Sequence, residues 1–359
     1  MLTRYFNPLN HSSHPNMKIL INTPNIHELG GVANHYLGLK PYWTENVRYN
    51  SLGAKPWRTY LFPFFVLRFL FRLLVFRPRV VLLNPSLGQR ALTRDFFYLR
   101  IAKALGRKVA VFIHGFSWDY AQKADWRWIS QNLNRADGII VLAQAFKDEL
   151  QRRGVTTPVF LSTTKVADGL VEGIDAGRRT GRVKNLLFLS RIERAKGVYE
   201  TADTFALLKR EYPGLTLTFV GDGSELAPLK AYVREKGIAD VRFTGGLSGA
   251  ALRHEYEIAD FFFCSSHGEG MPTVVLEAMA FGLPVLTRAV GGVCDFFEDG
   301  RMGRITSSTD PAEFARLVKP FIDDAGLTKQ VSRYNARYAR EHFMASSVAK
   351  NIEKILMAL

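Results

Sequence analysis

Residues 265–284 read SSHGEGMPTVVLEAMAFGLP, and this stretch decides the fold of the chain. An apolar run at 261–264 precedes it and a second one begins at Pro284, so we predict a buried strand on each side. Pro272 suits the first turn of a short helix between the strands, and Gly282 suits its end. This succession of strand, loop, helix and strand is the repeating unit of parallel α/β proteins.

Two glutamates flank the start of this helix. Glu269 lies between two glycines at the mouth of the strand-to-helix crossing, and Glu277 lies on the helix itself. The first amides of a helix have no partner within it, so such a place binds anionic or hydroxyl-rich ligands. Two carboxylates there can serve as acid and base or can accept hydrogen bonds from sugar hydroxyls. Both interpretations are open at this point.

Length and composition favour two folded domains. The chain has 359 residues, of which 47% are hydrophobic, enough for a full core in each domain. Lysine and arginine number 48 against 33 acidic residues, and the net charge of +15 suits nucleic acid, an anionic membrane or phosphate-bearing substrates. The basic residues are scattered and form no recognised nucleic-acid module, so we expect no nucleic-acid partner.

Cysteine usage and the N-terminal residues favour a cytoplasmic protein. Cys264 and Cys294 fit no metal spacing, and we expect Cys264, at the end of a buried apolar strand, to be a free, reduced thiol. Residues 1–16 are polar and show no secretory signal, and we interpret them as an N-terminal extension, the alternative being that Met17 is the functional start. No run reaches the roughly 20 apolar residues of a spanning helix.

Strand and helix patterns alternate in two series, which predicts two doubly wound α/β domains with a cleft between them. Ligands of such sheets bind beyond the carboxyl ends of the strands. The predicted parts are an extension at 1–16, a first domain at 17–165, a linker at 166–184, a second domain at 185–342 and a C-terminal helix at 343–359. The predicted strands are 18–22, 79–83, 108–113, 138–142, 158–161, 185–190, 215–220, 241–243, 260–264 and 284–287.

Two strand-ending loops of the first domain are candidate ligand contacts. Gly30 and Gly31 open a helix, where glycine lets a backbone approach a phosphate, although two glycines are as often a simple turn. His114 ends an apolar strand and is followed by glycine. A hydrogen-bonded structural imidazole and a substrate contact are equally good interpretations of His114.

The second domain adds a pair of cations. Arg191 directly follows its first strand, and Lys196 stands at the start of the following helix. A guanidinium and an ammonium that converge on a helix start would hold a diphosphate through charge-assisted bonds, whereas the alternative is a solvated basic turn. Gly221 and Gly245 end the next two strands, where they could line a base pocket or serve only as turns.

In combination these motifs resemble the retaining glycosyltransferases of the GT-B fold, family 4 (glycosyl transferases group 1). The resemblance is strong from about residue 185 to residue 305 and thin over the first domain. It rests on Glu269 and Glu277 separated by seven residues, on Arg191 with Lys196-Gly197, on Gly221-Asp222-Gly223, on Gly291-Gly292 and on Gly30-Gly31.

The resemblance implies two Rossmann-like domains, the first binding the acceptor and the second the nucleotide sugar, with the C-terminal helix crossing back to the first. It implies that Arg191 and Lys196 neutralise the departing diphosphate and that Glu277 binds the ribose. Glu269 would hold the donor sugar near the reacting carbon, and His114 would contact the donor sugar or the acceptor. The implied donor-binding residues are Gly30, Gly31, Arg191, Lys196, Gly221, Gly245, Gly270, Met271, Pro272, Thr273 and Glu277.

We expect neither a metal nor a cofactor. In this class of reaction charge develops on the departing diphosphate, and a preorganised cationic site stabilises that charge directly. No DxD-type acidic pair stands in a matching loop. The co-substrate would be the nucleotide-diphosphate sugar itself.

Residues 58–79 form the most aromatic and basic segment of the chain. Arg68 and Arg72 are four residues apart and share one helix face. A helix of this kind can lie in a bilayer interface with its arginines near lipid phosphates, and the alternative is an ordinary core helix of the first domain. We expect peripheral contact with an anionic membrane, on the inner face of the cytoplasmic membrane.

The predicted function is transfer of a sugar from a nucleotide-diphosphate donor to a glycan or lipid-linked acceptor, with retention, in synthesis of a bacterial cell-surface polysaccharide or lipopolysaccharide. One alternative is a sugar-nucleotide-binding protein of the same fold without transferase activity. Another is a nucleotide-sugar epimerase. A phosphorylase would need a pyridoxal-anchoring lysine, and no lysine stands in a matching context.

Overall fold

The computed structural model of the chain describes residues 17–27, 30–52 and 62–359. The predicted extension at 1–16 and residues 58–61 of the predicted membrane segment therefore lie outside the described residues. The chain divides into two compact units. The first combines Met1–Lys165 with Ala345–Leu359, and the second is Val166–Met344.

The first unit is a parallel six-stranded sheet in the order β2-β1-β3-β4-β5-β6. Its central strands β3 to β5 are almost wholly buried apolar runs, as expected for parallel strands covered by helices on both faces. The strands are β1 (Lys18–Pro24), β2 (Asn46–Leu52), β3 (Val80–Leu83), β4 (Lys108–Ile113), β5 (Gly138–Val141) and β6 (Val159–Leu161). The helices are α1 (Gly31–Leu39), α2 (Phe62–Val75), α3 (Gln89–Ala104), α4 (Trp118–Lys123), α5 (Trp126–Leu133), α6 (Gln144–Arg152) and a C-terminal helix (Ala345–Met357).

The second unit is another parallel six-stranded sheet, in the order β12-β11-β10-β7-β8-β9. Its core is rich in phenylalanine, and the helices on its faces cover the apolar strands. The strands are β7 (Asn185–Leu189), β8 (Thr216–Val220), β9 (Val241–Phe243), β10 (Phe261–Cys264), β11 (Val285–Arg288) and β12 (Gly303–Thr306). The helices are α7 (Val198–Glu211), α8 (Leu226–Glu235), α9 (Gly249–Ile258), α10 (Thr273–Ala280), α11 (Pro311–Asp323) and α12 (Ala325–His342).

Both sheets change winding direction between two adjacent strands. In the first sheet the change lies between β1 and β3, and in the second it lies between β7 and β10. The loops that leave such a pair run to opposite sides, so a crevice opens at the carboxyl ends of the strands and ligands bind there. The predicted fold class of two Rossmann-like doubly wound units is confirmed.

The ten predicted strands all form, within two residues of the predicted ends. The prediction missed β2 and β12, which are edge strands of their sheets. An edge strand has a neighbour on one side only. Accordingly β2 alternates exposed Asn46 and Arg48 with more buried residues, and β12 contains one large apolar residue, Ile305. Neither strand shows the continuous apolar run from which the inner strands were predicted.

Residues 166–184, predicted as a linker, lie in the second unit. Arg179 anchors this segment, since its guanidinium donates to the carbonyl groups of Tyr256, Ala259 and Phe281. Three carbonyl acceptors at the ends of α9 and α10 satisfy most of the donors of a buried guanidinium. The segment is thus fastened to the second unit by a side chain that lies within the predicted linker.

The C-terminal helix packs against α1 of the first unit. Its buried Glu353 accepts hydrogen bonds from the backbone amides of Thr44 and Glu45, at 2.8 and 2.9 Å, and from the hydroxyl of Thr44 at 2.7 Å. A buried carboxylate needs such donors because they replace its lost hydration. This contact fastens the end of the chain to its first unit.

Helix α2 is fastened to the sheet by the two arginines that were predicted to lie near lipid phosphates. Arg68 donates to the carbonyl of Ser51, and Arg72 donates to that of Tyr49 at 2.6 Å. Both carbonyls belong to the edge strand β2, whose outer backbone groups would otherwise lack partners. The two guanidiniums therefore cap a sheet edge rather than extend toward lipid phosphates. No helix among the described residues is long and apolar enough to cross a bilayer.

Candidate active site

The candidate site of the second unit lies where β7 and β10 end, at the change of winding direction. Two hydrogen bonds hold the loops after these strands together. The amide of His267 donates to the carbonyl of Ala195 at 2.9 Å, and the hydroxyl of Ser265 donates to the carbonyl of Gly197 at 2.8 Å. These bonds place Lys196 of one loop beside Glu269 of the other.

Lys196 and Glu269 form the centre of the site. The Lys196 Nζ lies 2.5 Å from Glu269 Oε1, and the hydroxyl of Ser266 donates to the same oxygen at 2.7 Å. The side chains are only 13% and 19% exposed, so the ion pair is partly shielded from water. An ammonium has three N–H donors and a carboxylate has two oxygens. Two donors of Lys196, and Oε2 of Glu269, thus have no partner among the described residues.

Two glycines allow the loops to approach so closely. Gly197 has φ +71°, and a Cβ there would lie 2.3 Å from the carbonyl oxygen of Ser265. Gly291 has φ +53°, and its Cβ would lie 2.4 Å from the carbonyl oxygen of Glu269. A side chain at either position would meet both backbone strain and a clash with main-chain atoms that cannot give way. The position of Glu269 therefore depends on glycine on both sides of its loop.

The loop from Glu269 to α10 presents unpaired amides. Those of Gly270, Met271 and Thr273 find no acceptor within the described residues. Pro272, predicted within the first turn, is instead the residue just before the helix and brings no N–H donor. Such a run of free amides at a helix start is suited to an anion. The carbonyl of Gly270 faces the other way and accepts from the amide of Gly292 at 2.8 Å.

Glu277 is positioned by a tyrosine that sequence reasoning missed. The hydroxyl of Tyr256, on α9, donates to Glu277 Oε2 at 2.8 Å. Tyr256 is fully buried and its ring stacks on Phe281 at 4.9 Å between centroids. Burial, with the Glu277 carboxylate as a second cause, raises the pKa of this tyrosine well above its usual value. It therefore stays a neutral donor that fixes the direction of Glu277.

Arg191 lies apart from this centre in the structure. Its guanidinium pairs with Glu193 at 2.6 Å, its side chain is 70% exposed, and no contact joins it to Lys196 or Glu269 among the described residues. Gly221 and Gly245 do come together, because the amide of Gly221 donates to the carbonyl of Gly245 at 2.9 Å. They form the connection between the ends of β8 and β9.

The corresponding edge of the first unit carries neutral polar groups. His114 follows β4; its Nε2 lies 3.0 Å from Asn84 Oδ1, and its ring stacks on Phe112 at 3.9 Å between centroids. Asn84 Oδ1 also accepts from the hydroxyl of Tyr36 at 2.5 Å, so Nε2 of the histidine carries a proton that it donates. Burial lowers the pKa of His114 to about 3. His114 is therefore a neutral imidazole near pH 7.

His35 extends this neutral cluster. It is buried 5.1 Å from His114 between ring centroids, and neither of its ring nitrogens has a hydrogen-bond partner among the described residues. Burial, then the neighbouring His114 and Lys165, lower its pKa well below the usual value. Gly30 and Gly31 lie at the start of α1, and a Cβ at either position would meet no atom of the described residues within 4 Å. These two glycines therefore stand at an open helix start.

Sequence reasoning missed several partners of the predicted residues. Ser266, Tyr256 and Glu193 are all polar groups that bond a predicted residue from another position. Ser266 stands inside the quoted motif, so its proximity to Glu269 could have been foreseen. Tyr256 is one residue of an ordinary amphipathic helix, and nothing in its local pattern distinguishes it.

Comparison with known proteins agrees with this arrangement. Residues 175–338 match the family model described as glycosyl transferases group 1, and residues 80–163 match the glucosyltransferase 3-like N-terminal domain. Among solved structures, HepE of Anabaena in complex with UDP and glucose superposes with a TM-score of 0.74 and 18% identity, over 96% of this chain and 100% of that chain. Sucrose-phosphate synthase from Thermosynechococcus elongatus superposes with a TM-score of 0.75 and 17% identity, over 96% and 99%.

These likenesses define the fold as that of the GT-B glycosyltransferases. The second unit carries a glycosyl transferases group 1 domain, since the matched residues lie within it. A curated relative, the glycogen synthase of Mycobacterium tuberculosis, is 27% identical over 252 residues, which is 64% of this chain and 59% of that protein. The match therefore spans less than two thirds of the relative's length.

Proposed function

We propose that this protein is a retaining glycosyltransferase that moves a sugar from a nucleotide-diphosphate donor to a glycan or lipid-linked acceptor. The observation that carries the proposal is the pairing of Lys196 with Glu269 beside the free amides of Gly270 and Met271. A cation, amide donors and a carboxylate oxygen together match a ligand that has a diphosphate at one end and hydroxyls at the other.

In this proposal Lys196 and the loop amides stabilise the departing diphosphate. The bond between the anomeric carbon and the diphosphate oxygen breaks, and negative charge collects on that oxygen. Preorganised donors aimed at such a charge are usually the largest single contribution to catalysis. Arg191 adds a second cation when it exchanges Glu193 for the diphosphate. These side chains supply the positive charge, and we propose that neither a metal nor a cofactor is needed.

Glu269 and Glu277 hold the two ends of the donor. Glu269 Oε2 accepts from a hydroxyl of the donor sugar while Oε1 keeps its bonds to Lys196 and Ser266. Glu277, oriented by Tyr256, accepts from the ribose hydroxyls. Gly221 and Gly245 lie at neighbouring strand ends, where they line the base, and Thr273 and the helix start at Gly30 and Gly31 add amide donors.

His114 serves as a hydrogen-bond partner for a sugar hydroxyl rather than as a proton carrier. Its pKa of about 3 keeps the ring neutral at physiological pH. The proton of the acceptor hydroxyl passes instead to the departing diphosphate oxygen as the new glycosidic bond forms. Attack from the face that the diphosphate leaves gives the retained configuration. Because the departing oxygen takes up the acceptor proton, no separate base is needed.

The acceptor and the place of action complete the proposal. We propose an acceptor in a bacterial cell-surface polysaccharide or lipopolysaccharide pathway, reached from the inner face of the cytoplasmic membrane. The net charge of +15 supports an anionic surface or acceptor. Because a structure of HepE contains UDP-glucose, uridine-diphosphate sugars are the first donors to test.

Thermal stabilisation by a panel of nucleotide sugars tests the donor site. A ligand that binds only the folded protein raises its melting temperature by mass action. We expect one nucleoside series to stabilise the wild type and to have little effect on Lys196→Ala. Stabilisation by no nucleotide sugar would contradict the proposal.

Product analysis separates the alternatives. A transferase releases nucleoside diphosphate and extends an acceptor, an epimerase converts the donor when no acceptor is present, and a binding protein leaves the donor unchanged. The anomeric configuration of the product, read by NMR, tests retention.

A further inference from the structure

The outer face of α2 carries the most exposed large apolar side chains among the described residues. Five of its large apolar side chains are more than half exposed, on a helix whose other face is buried through Phe69 and Leu73. Their spacing of three, four and seven residues puts them on one side of the helix. They are Phe64 (58% exposed), Leu67 (64%), Phe71 (64%), Leu74 (57%) and Val75 (60%).

The orientation of this helix is fixed, so the apolar face cannot simply turn inward. Arg68 and Arg72 hold it to the edge strand β2, and the guanidinium of Arg107 donates to the carbonyl of Leu73 at 3.4 Å. Rolling the helix would break these bonds and expose Phe69 and Leu73. A contiguous apolar face that a protein keeps in water marks a surface that binds something else.

Four exposed cations stand at the C-terminal end of this face. Lys18 and Arg48 lie over the ring of Phe76, at 5.7 and 4.5 Å from its centroid, and the Nε of Arg77 donates to the carbonyl of Leu74 at 3.3 Å. Arg79 is joined to Lys18 through its backbone amide at 2.9 Å. Within the described residues no carboxylate forms an ion pair with any of these four side chains. The cations are therefore available to an anionic partner.

We propose that this surface, made of the α2 apolar face and the cations Lys18, Arg48, Arg77 and Arg79, docks the protein onto an anionic lipid bilayer. Apolar side chains enter the acyl boundary while the neighbouring cations bind lipid phosphates. The inference deepens the proposed function, on which its biological meaning rests, by assigning membrane contact to particular residues. It moves the lipid-phosphate contacts from Arg68 and Arg72 to the cations at the helix end.

Charge decides between a bilayer and a second copy of the chain. In a two-fold dimer through this face the same patch would meet itself, which would bring two sets of four unpaired cations together. Like charges in contact disfavour such an association, whereas an anionic bilayer offers the opposite charge and an apolar interior. The complementarity therefore favours the bilayer.

Vesicle co-sedimentation of the full chain tests the proposal. Vesicles of phosphatidylcholine with phosphatidylglycerol are compared with vesicles of phosphatidylcholine alone, at low and at high salt. We expect the wild type to bind the anionic vesicles at least tenfold more tightly, with the difference shrinking as salt screens the cations. Leu67→Ser/Phe71→Ser and Arg48→Gln/Arg79→Gln should each weaken anionic-vesicle binding about tenfold or more.

Matched variants on the second unit serve as controls. Ile258→Ser removes an exposed apolar side chain from α9, and Arg333→Gln/Arg337→Gln removes two exposed cations from α12. Both should bind vesicles like the wild type. All altered residues are exposed, so the melting temperatures should remain close to that of the wild type.

Three outcomes would overturn the inference: no binding of the wild type to anionic vesicles, equal binding to neutral vesicles, or equal losses in the control variants. Concentration-dependent dimers that disappear in Leu67→Ser/Phe71→Ser, without vesicle binding, would assign the face to a second copy instead. Nucleotide-sugar stabilisation measured on the same samples is independent of vesicles. Vesicle binding without stabilisation by a nucleotide sugar would reject the proposed function and support the docking surface. Stabilisation by a nucleotide sugar without vesicle binding would support the proposed function and reject the docking surface.

Discussion

The carboxyl edges of the two sheets occupy equivalent places in two similar folds but carry opposite chemistry. The edge of the second unit holds an ion pair, Lys196 with Glu269, beside free amides. The edge of the first unit holds two neutral imidazoles, with His114 bonded to Asn84 and His35 buried next to it. Topology thus determines where a site forms, and the side chains at the strand ends determine what the site can bind.

The difference suggests a division of work under the proposed function. Partial exposure lets Lys196 and Glu269 exchange partners with a diphosphate. Burial keeps the imidazoles of the first unit neutral, so they can bond hydroxyls but contribute no charge. The edge of the second unit thus suits an ionic ligand, and the imidazoles of the first unit suit uncharged hydroxyls.

The largest expected effect concerns the charged edge of the second unit. Lys196→Ala should lower kcat/KM for sugar transfer about 10³-fold, because removing one preorganised donor from a developing charge typically costs 10²–10³ in rate. The matched change on the neutral edge, His114→Gln, should lower it about tenfold or less, as expected for a neutral hydrogen bond. Steady-state kinetics with the best donor of the panel measures both.

Lys329→Ala, which removes an exposed lysine from α12 of the same unit, is the control and should retain full activity. Comparable losses in His114→Gln and Lys196→Ala would show that the two edges do not differ in the way proposed.

The second effect concerns the glycines of the two edges. Gly197→Ala should reduce the free energy of unfolding by about 2 kcal/mol or more, because the new methyl group meets the carbonyl of Ser265 at a left-handed backbone position. Gly31→Ala, where a Cβ meets nothing within 4 Å, should leave stability unchanged or slightly raise it. Calorimetric melting of both variants measures the contrast. A stable Gly197→Ala protein would mean that the loops can separate.

The third effect is the pH dependence of the neutral edge. The pKa of His114 is about 3 in the folded protein and about 6.5 when unfolded, so the unfolded state takes up the proton first as pH falls. The stability associated with the neutral ring is present above about pH 6.5 and is lost as pH falls toward 3. Between pH 7 and pH 5 the free energy of unfolding of His114→Gln should therefore fall by about 1–2 kcal/mol less than that of the wild type.

Denaturant unfolding at both pH values measures this difference, with His254→Gln, a histidine on α9 of the second unit, as the control. An identical pH dependence in His114→Gln and the wild type would show that the ring titrates normally and that the first edge is not a neutral site.

The smallest expected effect concerns the orientation of Glu277 at the charged edge. Tyr256→Phe removes the hydroxyl that orients Glu277 and keeps the aromatic packing on Phe281. We expect KM for the donor to rise about three- to tenfold with little change in kcat, since one hydrogen bond to a carboxylate is lost from binding. A fall in kcat at unchanged KM would place Glu277 near the reacting carbon instead of at the ribose.

Much of the fold could be predicted because its signals are local. Inner strands such as β4 and β10 are unbroken apolar runs, and glycine and proline mark the ends of the helix that follows residue 272. The edge strands β2 and β12 could not be predicted in this way, because a strand with one neighbour does not need a fully apolar sequence.

The sequence could predict which residues belong to the site but not which of them pair with each other. Lys196 and Glu269 were both selected from their motifs, yet they are 73 residues apart, and only the adjacency of β7 and β10 brings their atoms together. Arg191 pairs instead with Glu193, two residues further along its own loop. The pairing of Lys196 with Glu269 depends on strand order and loop packing, which no short window of sequence contains.

By itself the sequence determined the alternation of strands and helices, the glycine-framed loops and the presence of two glutamates and two cations near strand ends. Only the tertiary structure decided that Arg68 and Arg72 cap β2, that Tyr256 orients Glu277 and that burial keeps His114 neutral. The physical reason is the separation along the chain over which each interaction acts. Backbone preference and apolar periodicity act over a few neighbouring residues, whereas hydrogen-bond partners and burial depend on chain segments that meet only after folding.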